Sequence, residues 1–232
     1  MNESLQPVYT GRSSAGYAVD DRQRVLRNTY WLLALSLIPT VLDAWVGVLT
    51  GIVAAMSNGM SAIVFLVGAF GLMFAIEKTK NSAAGVPVLL AFTFFMGLML
   101  ARLLAVILGF RNGSSLIMTA FGGTAGVFFG MATLATVVKR DLSTLTRFLF
   151  VGAIIAIVAS LINMFVQSTA AMLAISTAVM VIFSLFVMVD IKRVIDGGER
   201  NYIMATLAIY LDLYNVFQSM IILLTSLTGD RR

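Results

Sequence analysis

The chain has 232 residues, 59% of them hydrophobic and only 12% charged, with a mean hydropathy of +0.96. A soluble domain of this size carries about 25% charge, so the composition excludes an ordinary soluble globular protein and points to several membrane spans. With no cysteine and no histidine, the sequence also excludes disulfides, thiol nucleophiles, the usual zinc sites and the common physiological pH switch.

The net charge of +5 is then a signal of membrane orientation before it is one of nucleic-acid binding, and no nucleic-acid partner is expected. Residues 1–27 are polar and basic without an apolar period, and read as a tail with a short helix around residues 20–27. The long apolar run that follows, with no small-residue cleavage site behind a short core, makes the first span an uncleaved anchor. That span, residues 28–49, contains Pro39, which predicts a kink, and Asp43 near its far end. Further spans are expected at 60–76, 86–108, 114–138, 147–166, 169–193 and 201–227, each near the ~20 residues that cross the hydrocarbon. No soluble domain fits between them. The organisation is therefore a tail (1–27), one all-α transmembrane domain (28–229) and a short C-terminal tail (230–232).

Lys and Arg set the orientation. Arg12, Arg22, Arg24, Arg27, Lys78, Lys80, Lys139, Arg140, Arg147, Lys192, Arg193 and Arg200 fall on one side. Only Arg111, Arg231 and Arg232 fall on the other, and Arg102 lies within the third span. Seven spans with a cytoplasmic N-terminus and an outer C-terminus follow. The alternative is six spans and a re-entrant last segment.

The fourth span carries Gly122, Gly126 and Gly130 at four-residue spacing, with Gly123 beside them. Small residues so spaced let helix backbones approach closely, so they are expected to serve packing. The scattered methionines read as packing filler. Arg102 either snorkels to the outer surface or pairs with Asp43. Glu77 reads as a solvated charge at the cytoplasmic end of the second span, on the side where a third carboxylate could join the pair described next.

That pair is the main functional signal. The last two spans flank a short charged turn, and each carries a carboxylate where hydrocarbon is expected: Asp190 and Asp212. An ionisable group inside a span costs about 2.5–3.5 kcal/mol and is by default a functional candidate facing the bundle. Gly197 suits the end of one helix and Asn201 the start of the next. The aspartates then lie roughly 10 Å and 16 Å from the same face at 1.5 Å per residue, close enough for tilt to bring them together. Steps of three and four from Asp212 give Ala205, Ala208, Asn215 and Ser219, one small polar stripe in support. For Asp190 the competing reading is an interfacial salt bridge with Lys192 or Arg193.

Two carboxylates in one low-dielectric site cannot both ionise cheaply and titrate as a unit. Sharing a proton, they tie two helices together. Ionised, they repel and attract a hard cation such as calcium, with oxygen ligands from Asp190 and Asp212. A pH-sensitive cation leak gated by the pair is the expected function, with no cofactor beyond a possible calcium ion and no catalytic residue. A membrane aspartyl protease is the enzymatic alternative, but the Tyr-Asp and Gly-x-Gly-Asp pairings such a dyad needs are missing.

VLRNTYWLLALSL in the first span, GLMFAIEKTK at the end of the second, AFGGTAGVFFG in the fourth and GGERNYIMATLAIYLDLYNVFQSM at the last together resemble the Bax inhibitor-1 (transmembrane BAX inhibitor motif) family in its bacterial branch. The resemblance covers nearly all of the chain after the tail. It implies a seven-helix bundle with the last helix central, in a bacterial inner (plasma) membrane. It also implies a calcium leak whose di-aspartyl pH sensor corresponds to Asp190 and Asp212. The family's calcium-leak members carry an arginine in the second helix that latches the sensor, and this sequence has none there. A bacterial member of the family instead modulates a membrane-anchored AAA protease. That role needs no transport and could use residues 1–27 as its handle.

Overall fold

The computed structural model describes residues 14–53 and 55–228. In hydrocarbon a backbone amide has no water to bond, so a long apolar run must satisfy itself as a helix. Among the described residues this gives seven: α1 (Ser14–Thr50), α2 (Asn58–Thr79), α3 (Gly85–Leu108), α4 (Gly113–Val137), α5 (Ser143–Val166), α6 (Thr169–Ile195) and α7 (Tyr202–Thr228). Each contains a stretch long and apolar enough to cross a membrane. The last is one unbroken helix of 27 residues, so the re-entrant form is not adopted.

The N-terminal region departs from expectation. α1 runs without interruption from Ser14 through residue 27 into the membrane segment and on through Pro39. Once the apolar run has nucleated a helix, extension is cheap, and residues 17–27 contain no glycine or proline to stop it. The rest of the expected tail, residues 1–13, and the C-terminal residues 229–232 lie outside the described residues.

α7 is the central element. It packs against α1, α2, α3, α4 and α6, whereas α5 lies outside and packs against α6. The core joins Leu32 of α1, Leu89, Phe92 and Met96 of α3, Val187 and Ile191 of α6, and Leu207 and Ile209 of α7. α1 and α3 pair most extensively because α3 has no side chain at the crossing. A Cβ on Gly97 would stand 2.3 Å from the Thr40 carbonyl oxygen, and one on Gly47 of α1 would stand 2.5 Å from the Ala101 Cβ.

The glycines of α4 correct the sequence reading. Gly122, Gly126 and Gly130 are exposed, and a Cβ on any of them would meet nothing within 4 Å. The close contact belongs to Gly123, where a Cβ would come within 2.4 Å of the Met220 sulfur on α7. Four-residue spacing places the three glycines on one face, but it does not choose which face turns inward.

Side-chain bonds fasten the two ends of the bundle. At one end, Asn201 Nδ2 donates to the Lys80 carbonyl (3.0 Å) and to Asn81 Oδ1 (2.9 Å), tying the α6–α7 turn to the α2–α3 turn. Arg22 of α1 lies over the same turn, with its Nε 2.7 Å from where a Gly197 Cβ would be. At the other end, Asn112 donates to the Thr228 carbonyl at 2.8 Å. In the α4–α5 turn the Ser143 hydroxyl and amide both donate to Asp141 and hold its carboxyl below the ordinary carboxylate range.

Candidate functional site

Two capped helix ends build the site. α6 closes where Gly197 takes φ +78°, a backbone region glycine enters freely, and the Gly198 amide donates to the Arg193 carbonyl at 2.9 Å. α7 opens where Asn201 Oδ1 accepts from the Ile203 amide (3.0 Å) and the Met204 amide (3.1 Å). The two helices leave this turn antiparallel and pack closely along their length.

The hairpin brings Asp190 and Asp212 together, within side-chain hydrogen-bonding reach of each other. Asp212 is 5% exposed, and Asp190 is half-buried. Two carboxyls this close do not both ionise cheaply. Asp212 Oδ2 is buried and receives no hydrogen bond from an N–H or O–H donor among the described residues. Among the described residues no ion pair joins Asp190 to the two cations beside it: Lys192 pairs with Asp196 at 2.6 Å, one turn further on, while Arg193 lies within electrostatic reach of Asp190.

Of the supporting residues, Ser219 is buried on the expected stripe, and Asn215 is half-buried with its amide donating to the Leu211 carbonyl at 2.8 Å. Glu77 is not brought to the pair. It is exposed, bonds Lys80 at the surface, and sits on α2, which does not touch α6. Calcium takes six to eight oxygen ligands. Asp190 and Asp212 are chemically suitable, but no group of three or more metal-ligating side chains forms among the described residues.

The opposite side of α7 carries a second polar seam, of which the sequence reading singled out only Asp43. Tyr210 and Tyr214, one turn apart, face α1 and α3. The Tyr210 hydroxyl lies 2.9 Å from Thr40 Oγ1, and Thr40 also donates to the Thr93 carbonyl at 3.1 Å. The Tyr214 hydroxyl donates to the Met96 carbonyl at 3.3 Å. On α1 the seam is Ser36, Thr40 and Asp43, all buried. Their spacing of four and three in an otherwise apolar span was the signal for it. Arg102 reaches away from Asp43 toward the α1–α2 connection, donating to Ser61 Oγ at 2.9 Å and to the Met56 carbonyl at 3.4 Å.

Comparison with known proteins gives one family. The family profile described as inhibitor of apoptosis-promoting Bax1 matches residues 22–229. An uncharacterised protein of Pseudomonas aeruginosa is 38% identical over 211 residues, covering 89% of this chain and 90% of its own. An uncharacterised membrane protein of Vibrio cholerae is 38% identical over 222 residues, covering 94% and 96%. The Escherichia coli protein named modulator of FtsH protease YccA is 37% identical over 207 residues, covering 89% and 92%.

Proposed function

The chain belongs to the family of inhibitors of apoptosis-promoting Bax1, and from that premise we propose that it is a non-enzymatic modulator of a membrane protease of the FtsH kind. The observation that carries this reading is the similarity, over 89% of this chain and 92% of the other, to the relative named for that role. We place the protein in the inner membrane, as relatives of that name are placed, with the α6–α7 turn and the start of α1 on the cytoplasmic side. The excess of Lys and Arg at that end supports the orientation. α1 extends beyond the membrane segment as a helix, and residues 1–13 ahead of it serve as the handle for the protease. Deleting residues 2–13 is expected to abolish co-purification with the protease and to change its turnover of a membrane substrate, while the bundle still folds. Retained association in that deletion overturns the handle.

A second reading, a pH-sensitive cation leak gated by Asp190 and Asp212, is favoured by one observation: the buried Asp212 carboxyl lies beside that of Asp190. Sharing a proton, the pair clamps α6 to α7; losing it, the carboxylates repel and admit a cation such as calcium. Calcium flux into proteoliposomes decides it. The expected result is a flux whose pH dependence is lost in both Asp190→Asn and Asp212→Asn. Flux and pH response identical to the unaltered protein would remove the reading and leave the protease role untouched.

A further inference from the structure

The seam on the tyrosine side of α7 contains a carboxyl that neither reading uses. Asp43 is 3% exposed, and its Oδ2 has no hydrogen-bond partner. On either side of it α1 touches α3 closely. Thr40 lies against Gly97 three residues earlier, and Gly47 lies against Ala101 four residues later.

No donor in the seam is turned to Asp43. The Thr40 hydroxyl is engaged with the Ser36 and Thr93 carbonyls and with Tyr210, the Tyr214 hydroxyl with the Met96 carbonyl, and the Gln218 amide with Tyr214. The charged and titratable groups on the elements packed against α1 are few. α3 offers Arg102, which bonds toward the α1–α2 connection. α7 offers Tyr210 and Tyr214 on this side. Its Asp212 lies two residues from each of them, on the far side of the helix toward α6. α6 carries Asp190, Lys192 and Arg193 near its other end, and no charged residue in 169–189.

A carboxylate buried with an oxygen lacking any donor is not left as a bare anion. We propose that Asp43 is a second cation-binding site, separated from the Asp190–Asp212 pair by α7, whose carboxyl is neutralised by one positive charge taken from solution, a proton or an alkali cation. Position supports exchange with the nearer end of the bundle: Asp43 lies seven residues, roughly 10 Å, before the end of α1 at Thr50.

The test uses the full chain in lipid and dicyclohexylcarbodiimide, which modifies protonated carboxyls in apolar surroundings, with peptide mass as the readout. The expected result is an adduct on Asp43 under conditions where exposed Asp141 and Asp196 do not react. If the charge is a proton, the adduct falls about tenfold per pH unit once past the midpoint. If it is an alkali cation, the adduct falls with added sodium at constant pH. If the charge is a proton, Asp43→Asn, a neutral isostere, is expected to keep the melting temperature within a degree or so of the unaltered chain, since neither side chain then carries net charge. Coupling of Asp43 to an amine by a water-soluble carbodiimide, without reaction with the apolar reagent, identifies a hydrated carboxylate and overturns the proposal. Refusal of both reagents at every pH and sodium level overturns it as well.

Discussion

α5 and α7 are both spans of the same bundle, and they sit in opposite places. The apolar window of α5 has a hydropathy of 2.6 and is 11% buried; that of α7 has 1.6 and is 50% buried. In water the greasier helix would be the inner one. In a bilayer the lipid is as apolar as leucine, so nothing drives α5 inward, while the polar groups of α7 must find partners inside protein. Phe165 on α5 is 81% exposed, and Ile209 on α7 is fully buried. The difference teaches that polarity, not grease, marks the centre of this molecule.

The contrast breaks most sharply on large apolar residues. Ile209→Ala leaves a cavity at the centre and is expected to cost about 2 kcal/mol, chiefly lost packing because the transfer term is small in lipid. Phe165→Ala should stay within about 0.5 kcal/mol. Reversible unfolding in mixed micelles measures both, and equal losses would sink the assignment of inner and outer helices. Next in size, Gly123→Val forces the Met220 side chain off α4 and should cost about 1–2 kcal/mol. By contrast Gly126→Ala, pointing at open space, should raise stability by up to about 1 kcal/mol through helix propensity. The opposite pattern in the same assay would restore the three-glycine stripe as the packing face.

Tyr210→Phe sharpens the comparison on the polar side. It removes a buried hydroxyl from Thr40 and should cost about 1 kcal/mol, whereas no such partner exists to be lost from the exposed phenylalanines of α5. The smallest effect is expected at Asp141, ahead of α5. Its carboxyl is held low by Ser143, so its contribution is present above the unfolded carboxylate value, about pH 3.9, and disappears as pH falls through the lowered value in the fold. Asp141→Asn should therefore melt slightly below the unaltered chain at neutral pH and match it at strongly acid pH. A deficit that does not change with pH removes the cap.

Much of the architecture was legible in the residues. Run length and the absence of water in hydrocarbon dictate seven helices, and Gly197 and Asn201 mark the last turn because glycine enters the left-handed region freely and the asparagine side chain can cap a helix start. Asp212 was legible for the same reason that α7 is central: a carboxylate deep in an apolar run has to face protein. Its meeting with Asp190 was an inference from counting residues back from one turn, and the packing of α6 on α7 realised it. Glu77 shows the limit of that counting, since sharing an end of the bundle does not put α2 beside α6.

What the sequence determined by itself, then, is what each segment can do alone: span, cap, turn, and carry a charge at a given depth. Tertiary structure decided which face of each helix turns inward. Only it could show that Gly123, not its three neighbours, meets α7, that Thr40 finds Tyr210 across 170 residues, and that Arg102 reaches Ser61 rather than Asp43. The physical reason is that helix periodicity fixes which residues share a face, whereas the partner of that face is chosen by the packing of all seven helices at once.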